Sequence, residues 1–314
     1  MRPSLLRLLT VSVALVACLS SLDPAPAVAQ TAKKARILMI TESKGFKHGS
    51  VNRDNKDGTK KDLAAAEVAM IQLGQQTGLF TVDCSQDSAK DFTKENLQNY
   101  DIVFFYTTGG RGQWKISDET FDYFFKEWLP KKGHGFVGTH SASDTMADYK
   151  PYWDMIGGSF NGHPWGSGET VTISVHDTKH PGSRMFGDEF QIKDEIYWYK
   201  NWQPEKVRVL MSLNIAKCQT KGGKKKIKEG DKEVEVVEAH HVPISWVKQY
   251  GDGRVFYTNL GHNEATWANK QFLESVQGGI QWILGQKEGD ATPNPELSKA
   301  QEEKAIKDAG ATGK

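Results

Sequence analysis

The first half of the chain alternates short apolar runs with segments in which apolar residues recur at helical spacing. The helical segments cover residues 63–76 and 121–129. The apolar runs predict four strands, at Ala35–Ile40, Phe80–Cys84, Tyr100–Tyr106 and Phe136–Val137. The third run is apolar almost throughout, as in a central parallel strand that is covered on both faces. The alternation of strand and helix predicts an α/β fold, with a parallel sheet between helices.

The second half predicts antiparallel strands and hairpins as additions to this fold, because its apolar runs are short, alternating and separated by turn residues. These runs are Val171–Val175, Val207–Ser212, Val234–Ala239, Ile244–Lys248 and Arg254–Thr258. The lysine-rich segment 217–232 predicts an exposed hairpin, and Phe272–Leu284 predicts a helix packed on the sheet. Residues 286–314 are polar and lack periodicity, so we expect a mobile tail after a single domain over residues 35–285.

The first 29 residues have the composition of an export signal. Two arginines precede an apolar run over residues 8–17, and residues 27–29 offer a cleavage site of small residues. Residues 15–18 also resemble a lipobox, in which Cys18 would carry a lipid after cleavage. The two signal types fit equally, and both predict export to the periplasm or the extracellular space. Membrane attachment is expected only through such a lipid.

Composition is that of a soluble globular protein, with 38% hydrophobic and 25% charged residues. The formal net charge of +1 gives no electrostatic reason to expect a nucleic-acid partner. After signal removal, Cys84 and Cys218 would remain. An exported protein permits a disulfide between them, and two separate thiols fit the sequence as well.

Four histidines lie in loops at strand ends or in irregular Gly-rich loops, where open α/β sheets bind their ligands. They are His48, His140, His163 and His262. We expect them to line one pocket. The turn at His140 has no cysteine and lacks the Gly-x-Ser-x-Gly frame of a hydrolase elbow. One member of the pair His240-His241 is also a candidate for the pocket, since neighbours on a strand face opposite sides.

Carboxylates complete the candidate chemistry. Asp144 follows His140 by four residues, and Asp194-Glu195 is an acidic pair among aromatic residues. Acid–base work requires such groups with separated pKa values. We predict four catalytic residues: His140, Asp144, Glu195 and His262. Imidazole and carboxylate ligands also suit a divalent ion such as zinc or manganese, which would be held by His48, His140, His163 and His262. No nucleotide cofactor is expected.

Six separated motifs resemble the ThuA-like (trehalose utilisation) family in content and order. They are Lys44–His48, Thr107–Gly109, Gly135–Asp144, Phe160–Pro164, Asp194–Tyr197 and Val255–His262. The resemblance covers residues 35–284 and implies a flavodoxin-like sheet of the class I glutamine amidotransferase-like type. It also implies that the amidotransferase cysteine would fall at about His140, so amidotransfer is not expected.

The resemblance further implies a role in sugar utilisation, alongside an oxidoreductase that makes 3-keto sugars. It favours an exported hydrolase- or lyase-like enzyme that acts on a disaccharide, glycoside or 3-keto-glycoside by acid–base or metal-assisted chemistry. Substrate contacts are expected from His48, Thr108, Phe160 and Tyr197. The alternative is a sugar-binding module that keeps the fold without catalysis. The sugar, the reaction, the metal and the oligomeric state are left open.

Overall fold

A computed structural model describes residues 34–229 and 232–311. The predicted export signal over residues 1–29, with Cys18, lies outside these residues. The strands are β1 (Ala35–Ile40), β2 (Phe80–Ser85), β3 (Ile102–Phe105), β4 (Gly135–Thr139), β5 (Ser159–Phe160), β6 (Thr170–Val175), β7 (Glu189–Lys193), β8 (Tyr199–Lys200), β9 (Arg208–Leu213), β10 (Gly223–Glu229), β11 (Lys232–Glu238), β12 (Pro243–Tyr250) and β13 (Gly253–Thr258). The helices are α1 (Ala65–Thr77), α2 (Ser88–Asp91), α3 (Lys94–Leu97), α4 (Asp118–Tyr123), α5 (Lys150–Ile156), α6 (Glu264–Trp267), α7 (Lys270–Ile283) and α8 (Pro295–Ala309).

Nine of these strands form one sheet in the order β2-β1-β3-β4-β13-β12-β9-β6-β7. The first five are parallel to one another, and the last four continue the sheet with antiparallel pairing. The parallel part has the flavodoxin-like order 2-1-3-4-5, with β13 as its fifth strand. This confirms the predicted parallel sheet with antiparallel additions. It corrects one detail, because β13 was expected only as an antiparallel strand and also pairs parallel with β4.

Two apolar layers cover the faces of the sheet, since alternate residues of each buried strand point to opposite sides. Phe104 of β3 packs in the layer that holds α1 and α7. Its neighbour Phe105 packs in the other layer, with Phe121, Trp128 and Tyr152. Helix α1 ends at Gly78, whose φ of 68° is a conformation that favours glycine. Helices on both faces leave only the strand ends open to ligands.

The expectation of a mobile tail is corrected for residues 295–309, which form helix α8. Pro295 opens the helix, and Gly310 closes it in a left-handed conformation. Only Ser298 and Ala305 of this helix are buried. Besides Ala305, the partly buried Leu297 and Ala309 pack on the core, and so few apolar positions give the sequence no clear periodicity.

Both cysteines in the described residues are free thiols. Cys84 belongs to β2 at one edge of the sheet, and Cys218 lies beside Thr172 of β6, near the other edge. Seven strand steps of about 4.8 Å separate these strands, far beyond the reach of a disulfide. The open alternative is therefore decided in favour of two separate thiols. None of the helices that the structure describes is long and apolar enough to cross a membrane.

Candidate functional site

Three histidines and one glutamate converge at the carboxyl-terminal edge of the parallel strands. The ligand atoms of His48, His140, Glu195 and His262 all lie within 4.8 Å of one another. The three histidines follow β1, β4 and β13, whose ends share one edge of the sheet. Glu195 comes from the segment after β7, so that an antiparallel addition completes a site on the parallel sheet. We call these four residues the histidine cluster.

The tightest part of the cluster is a triangle of three atoms. Glu195 Oε2 lies 2.9 Å from His262 Nδ1 and 3.4 Å from His140 Nε2. The two histidine nitrogens are 3.2 Å apart. Ligands bound at about 2.1 Å to one ion stand about 3.0–3.4 Å from each other. The triangle therefore has the dimensions of three sites in a metal coordination shell.

His140 is fully buried and has a positive φ of 44°. Its Nδ1 lies 2.8 Å from the backbone oxygen of Asn259. A carbonyl only accepts hydrogen bonds, so Nδ1 carries the proton and Nε2 presents a lone pair to the cluster. The Tyr257 hydroxyl donates to the His140 backbone oxygen at 2.6 Å. These two contacts fix both the tautomer and the unusual backbone.

His48 is also buried, and its Nε2 lies 3.2 Å from the Tyr197 hydroxyl. Its Nδ1 is buried without a hydrogen-bond partner among the described residues. Burial, followed by the neighbouring His140 and His262, lowers the pKa of His48 to about 2. The ring is therefore neutral at physiological pH. Its Nδ1 therefore stays available to a ligand, as do four histidine ring nitrogens outside the cluster.

Glu195 is the charged member of the cluster. Burial raises the pKa of this carboxyl, but the hydrogen bonds and positive charges that His140 and His262 supply when protonated outweigh burial and hold the pKa well below its usual range. Its second oxygen, Oε1, lies 3.3 Å from Nδ1 of His163. The His163 side chain is 54% exposed. His163 thus stands at the rim and contacts the cluster through Glu195, outside the group of four.

The other predicted site residues differ in their distance from the histidine cluster. The ring centroid of Tyr197 lies 4.2 Å from that of His140 and 4.4 Å from that of Phe160. Asp144 is half-buried, and burial raises its pKa to about 6, although Lys200 and His163 lower it. Its carboxyl is not part of the cluster.

Thr108 is buried, and its hydroxyl is committed to a loop rather than to the cluster. Its Oγ1 accepts from the Gly45 backbone N–H at 3.1 Å and donates to the Phe46 backbone oxygen at 2.9 Å. It therefore anchors the loop that carries His48. A direct contact of Thr108 with substrate stays a prediction.

The pair His240-His241 takes no part in this cluster, contrary to expectation. His241 bonds Ser212 at 2.7 Å, and His240 lies 3.0 Å from Glu302 of α8. Both contacts belong to the antiparallel half of the sheet and the terminal helix. The position of a histidine near a strand thus does not by itself predict that the histidine belongs to the cluster.

Two supporting residues were missed from the sequence. Asp194 is completely buried and accepts from the backbone N–H groups of Gly261 and Asn263, at 2.8 and 2.9 Å. These bonds clamp the loop on both sides of His262. The Asn259 side chain bonds the backbone of Tyr197 through both its oxygen, at 3.1 Å, and its nitrogen, at 2.8 Å. The sequence named Asp194 only as the acidic partner of Glu195, and Asn259 lies three residues before His262 in the same loop. Neither position indicated these contacts.

Comparisons with known proteins agree with this architecture. The fold is similar to that of a ThuA-like protein from Bacteroides uniformis, with a TM-score of 0.56 and 19% identity over 85% of this chain and 97% of the other. A ThuA-like protein from Parabacteroides merdae is similar, with a TM-score of 0.54 and 16% identity over 85% and 99%. No curated protein matches the chain. The family model ThuA, described as trehalose utilisation, matches residues 36–283. The chain therefore belongs to the ThuA (trehalose utilisation) family.

Proposed function

We propose that this protein is an exported, metal-dependent enzyme of carbohydrate breakdown that acts on a disaccharide, glycoside or 3-keto-glycoside. Membership of the trehalose-utilisation family supports the carbohydrate class. The observation that carries the enzymatic part is the histidine cluster, with its ligand atoms within 4.8 Å. Sugar recognition alone is more often achieved with carboxylates, amides and tryptophans. Three converging imidazoles therefore favour chemistry over simple binding.

The donor set of the cluster fits a divalent ion such as zinc or manganese. Imidazole and carboxylate are suitable ligands for both ions, and the unpartnered Nδ1 of His48 supports a ligand at this point. His140, His262 and Glu195 would hold the ion, with His48 beside them. When bound, such an ion stabilises negative charge on a substrate oxygen as a Lewis acid.

Asp144 and His163 are suited to move protons beside the cluster. On a 3-keto-glycoside, the keto group acidifies the C2–H bond, and His163 at the rim is the proposed base. The C2–H electron pair forms the C1–C2 double bond, and the C1–O bond to the leaving group breaks. Asp144, with a pKa of about 6, gives its proton to the leaving oxygen. An oxidation at C3 must supply such a substrate, so an oxidoreductase is the proposed functional partner.

A metal-free version is the second candidate, and one contact supports it. Glu195 Oε2 and His262 Nδ1 are 2.9 Å apart, the separation of a carboxylate that orients and activates a histidine base. In this version His262 takes the C2 proton, and Asp144 again serves as the acid.

Export is proposed on the N-terminal sequence alone, and fractionation of the producing cells tests it.

The test combines metal analysis with turnover. The full-length protein, before and after exhaustive chelation, is incubated with paired glycosides and their 3-keto derivatives, and released aglycone is measured by chromatography. We expect chelation to abolish release and a divalent ion to restore it. Glu195→Gln should reduce turnover by about a hundredfold or more. Glu303→Gln, an exposed site on α8, is the matched control and should leave turnover unchanged.

Three other outcomes of this test would each contradict a different part of the proposal: the metal, the catalysis or the substrate class. Full activity after chelation, with no metal found by elemental analysis, contradicts the metal and supports the metal-free version. Binding of sugars without release of aglycone supports the alternative of a non-catalytic module. Absence of both binding and turnover on every carbohydrate overturns the substrate class.

A further inference from the structure

An aromatic side chain stands exposed directly beside the histidine cluster. Phe46 is 66% exposed, far more than Val68 and Val237, the other large hydrophobic side chains exposed in the described part of the chain. Its ring centroid lies 4.8 Å from that of His48, in an edge-to-face arrangement. Single exposed apolar residues are common on protein surfaces. The position and rigidity of Phe46 distinguish it from that ordinary case.

The backbone under Phe46 is held from two sides. The Phe46 backbone oxygen accepts from the Thr108 hydroxyl at 2.9 Å, and the preceding Gly45 N–H donates to the same hydroxyl at 3.1 Å. The Lys44 N–H adds a bond of 3.0 Å to the Thr108 backbone oxygen. A loop tied in this way holds the backbone of Phe46 in place beside His48. Such preorganisation lowers the entropic cost of binding a ligand against the ring.

We propose that Phe46 is the stacking platform for a pyranose ring of the substrate and thereby a specificity-determining residue. This rests on the proposed carbohydrate function. A pyranose with equatorial hydroxyls has axial C–H groups on its two faces, which pack against an aromatic ring while the hydroxyls stay hydrated. Stacking on Phe46 brings that ring to the mouth of the site, next to His48. It explains why a large apolar side chain stays in solvent here.

A second partly exposed aromatic residue, Phe160, lies near the cluster and contacts Tyr197 and His163. Phe160 and His163 stack at 6.0 Å with an interplanar angle of 21°, and Phe160 is only half-buried. The Phe160 ring also contacts Tyr197 at 4.4 Å. The cluster thus has Phe46 beside His48 and Phe160 beside Tyr197 and His163. Apolar side chains around a few polar groups are the usual composition of a small-molecule site.

The experiment measures binding and turnover for Phe46→Ala, Phe46→Leu and Phe46→Trp in the full-length protein. The probes are trehalose, methyl α-D-glucopyranoside and acyclic D-glucitol, which keeps the hydroxyls and lacks the ring. Phe46→Ala should weaken binding of the two cyclic probes by about tenfold, and Phe46→Trp should stay within about threefold of the wild type. D-Glucitol should bind equally to all four proteins. Val237→Ala, an exposed site on β11, is the control.

Two further readouts separate stacking from a structural role. Ring-current shifts of the axial sugar protons, measured by NMR, should disappear in Phe46→Ala and Phe46→Leu and persist in Phe46→Trp. On a turned-over substrate, Phe46→Ala should raise KM about tenfold and leave kcat within about twofold, because a phenyl ring moves no proton. Metal content should equal that of the wild type.

Cyclic sugars that bind wild type and Phe46→Ala equally would overturn the platform and leave the proposed function standing. The same holds if Phe46→Leu keeps the ring-current shifts. If the wild type binds neither cyclic probe nor any other carbohydrate, the substrate class and the platform fail together.

Discussion

His140 combines a left-handed backbone with a ring that is fully buried and bonded at both ends. Its φ is 44°, its Nδ1–H donates to Asn259, and its Nε2 faces Glu195. Non-glycine residues rarely adopt this conformation, and their presence at a strand exit is typical of functional sites. The sequence indicated the position of His140. The buried ring and its backbone partner depend on contacts with β13, more than a hundred residues away, and could not be predicted.

Replacement of His140 by asparagine tests its role, because asparagine tolerates a left-handed backbone better than alanine. We expect His140→Asn to lose turnover by about a hundredfold or more. Loss of the ring and of its bond to Asn259 should lower the free energy of unfolding by only about 1–2 kcal/mol. Aglycone release and urea unfolding measure the two effects. His240→Asn, at a half-exposed site outside the cluster, is the control for turnover. Full turnover in His140→Asn would contradict a direct role.

Asp194 supports the site through backbone contacts alone. Its two oxygens accept from the N–H groups that flank His262. Asparagine supplies one acceptor in place of two, so Asp194→Asn leaves one buried N–H unsatisfied. We expect a loss of about 2–3 kcal/mol in unfolding free energy and a metal affinity weaker by about tenfold or more. Asp188→Asn, an exposed site before β7, is the control. Unchanged affinity for metal in Asp194→Asn would show that the clamp does not position His262.

At the scale of elements, the apolar runs predicted the five parallel strands and the main helices because buried strands and amphipathic helices have distinct periods. Two features escaped the pattern. The turn residues 251–253 indicated a hairpin for β13, and its parallel pairing with β4 depends on the sheet order. Helix α8 buries almost no apolar surface, so its sequence looks like an irregular tail. Tertiary contacts, rather than local pattern, determine both.

Helix α8 is fastened to the sheet by Glu302, and this contact predicts a pH dependence. Glu302 bonds His240 and raises its pKa. Burial raises the pKa of Glu302, but His240 and the His241 backbone N–H outweigh burial and lower it. The pair contributes fully between the ordinary pKa values of about 4.3 and 6.5. Its contribution disappears as pH rises through the raised pKa of His240, or falls through the lowered pKa of Glu302.

We therefore expect Glu302→Gln to destabilise the protein more at about pH 5.5 than at about pH 9. The effect should be small and should decrease with salt, because His240 is 46% exposed. Urea unfolding at the two pH values measures it. Glu303→Gln on the same helix should have the same free energy of unfolding as the wild type at each of the two pH values. A difference for Glu302→Gln that is larger at pH 9 would contradict the assigned pair.

At the scale of the whole molecule, the cluster joins four distant parts of the chain. Its residues follow β1, β4, β7 and β13, so they meet only when the parallel sheet and its antiparallel extension are both formed. The three histidines could be grouped from the sequence because parallel strands end at one edge. Glu195 could be named beside them as a catalytic candidate, but its contacts with His140 and His262 could not be predicted, since it arrives from the far edge of the sheet.

An ion held by His140, Glu195 and His262, which come from three distant segments, binds the folded state and has no preformed site in the unfolded chain. At about a hundredfold excess over Kd, a divalent ion should therefore add about 2.7 kcal/mol to the free energy of unfolding. For a domain of this size, that corresponds to a rise in Tm of about 5–10 °C. Calorimetry of the chelated protein, with and without zinc or manganese, measures the rise. Glu195→Gln should lose most of it because the charged ligand is gone, and His240→Asn should keep it in full. Equal Tm values with and without every divalent ion tested would remove the metal from the proposed mechanism and leave catalysis to the pair Glu195–His262.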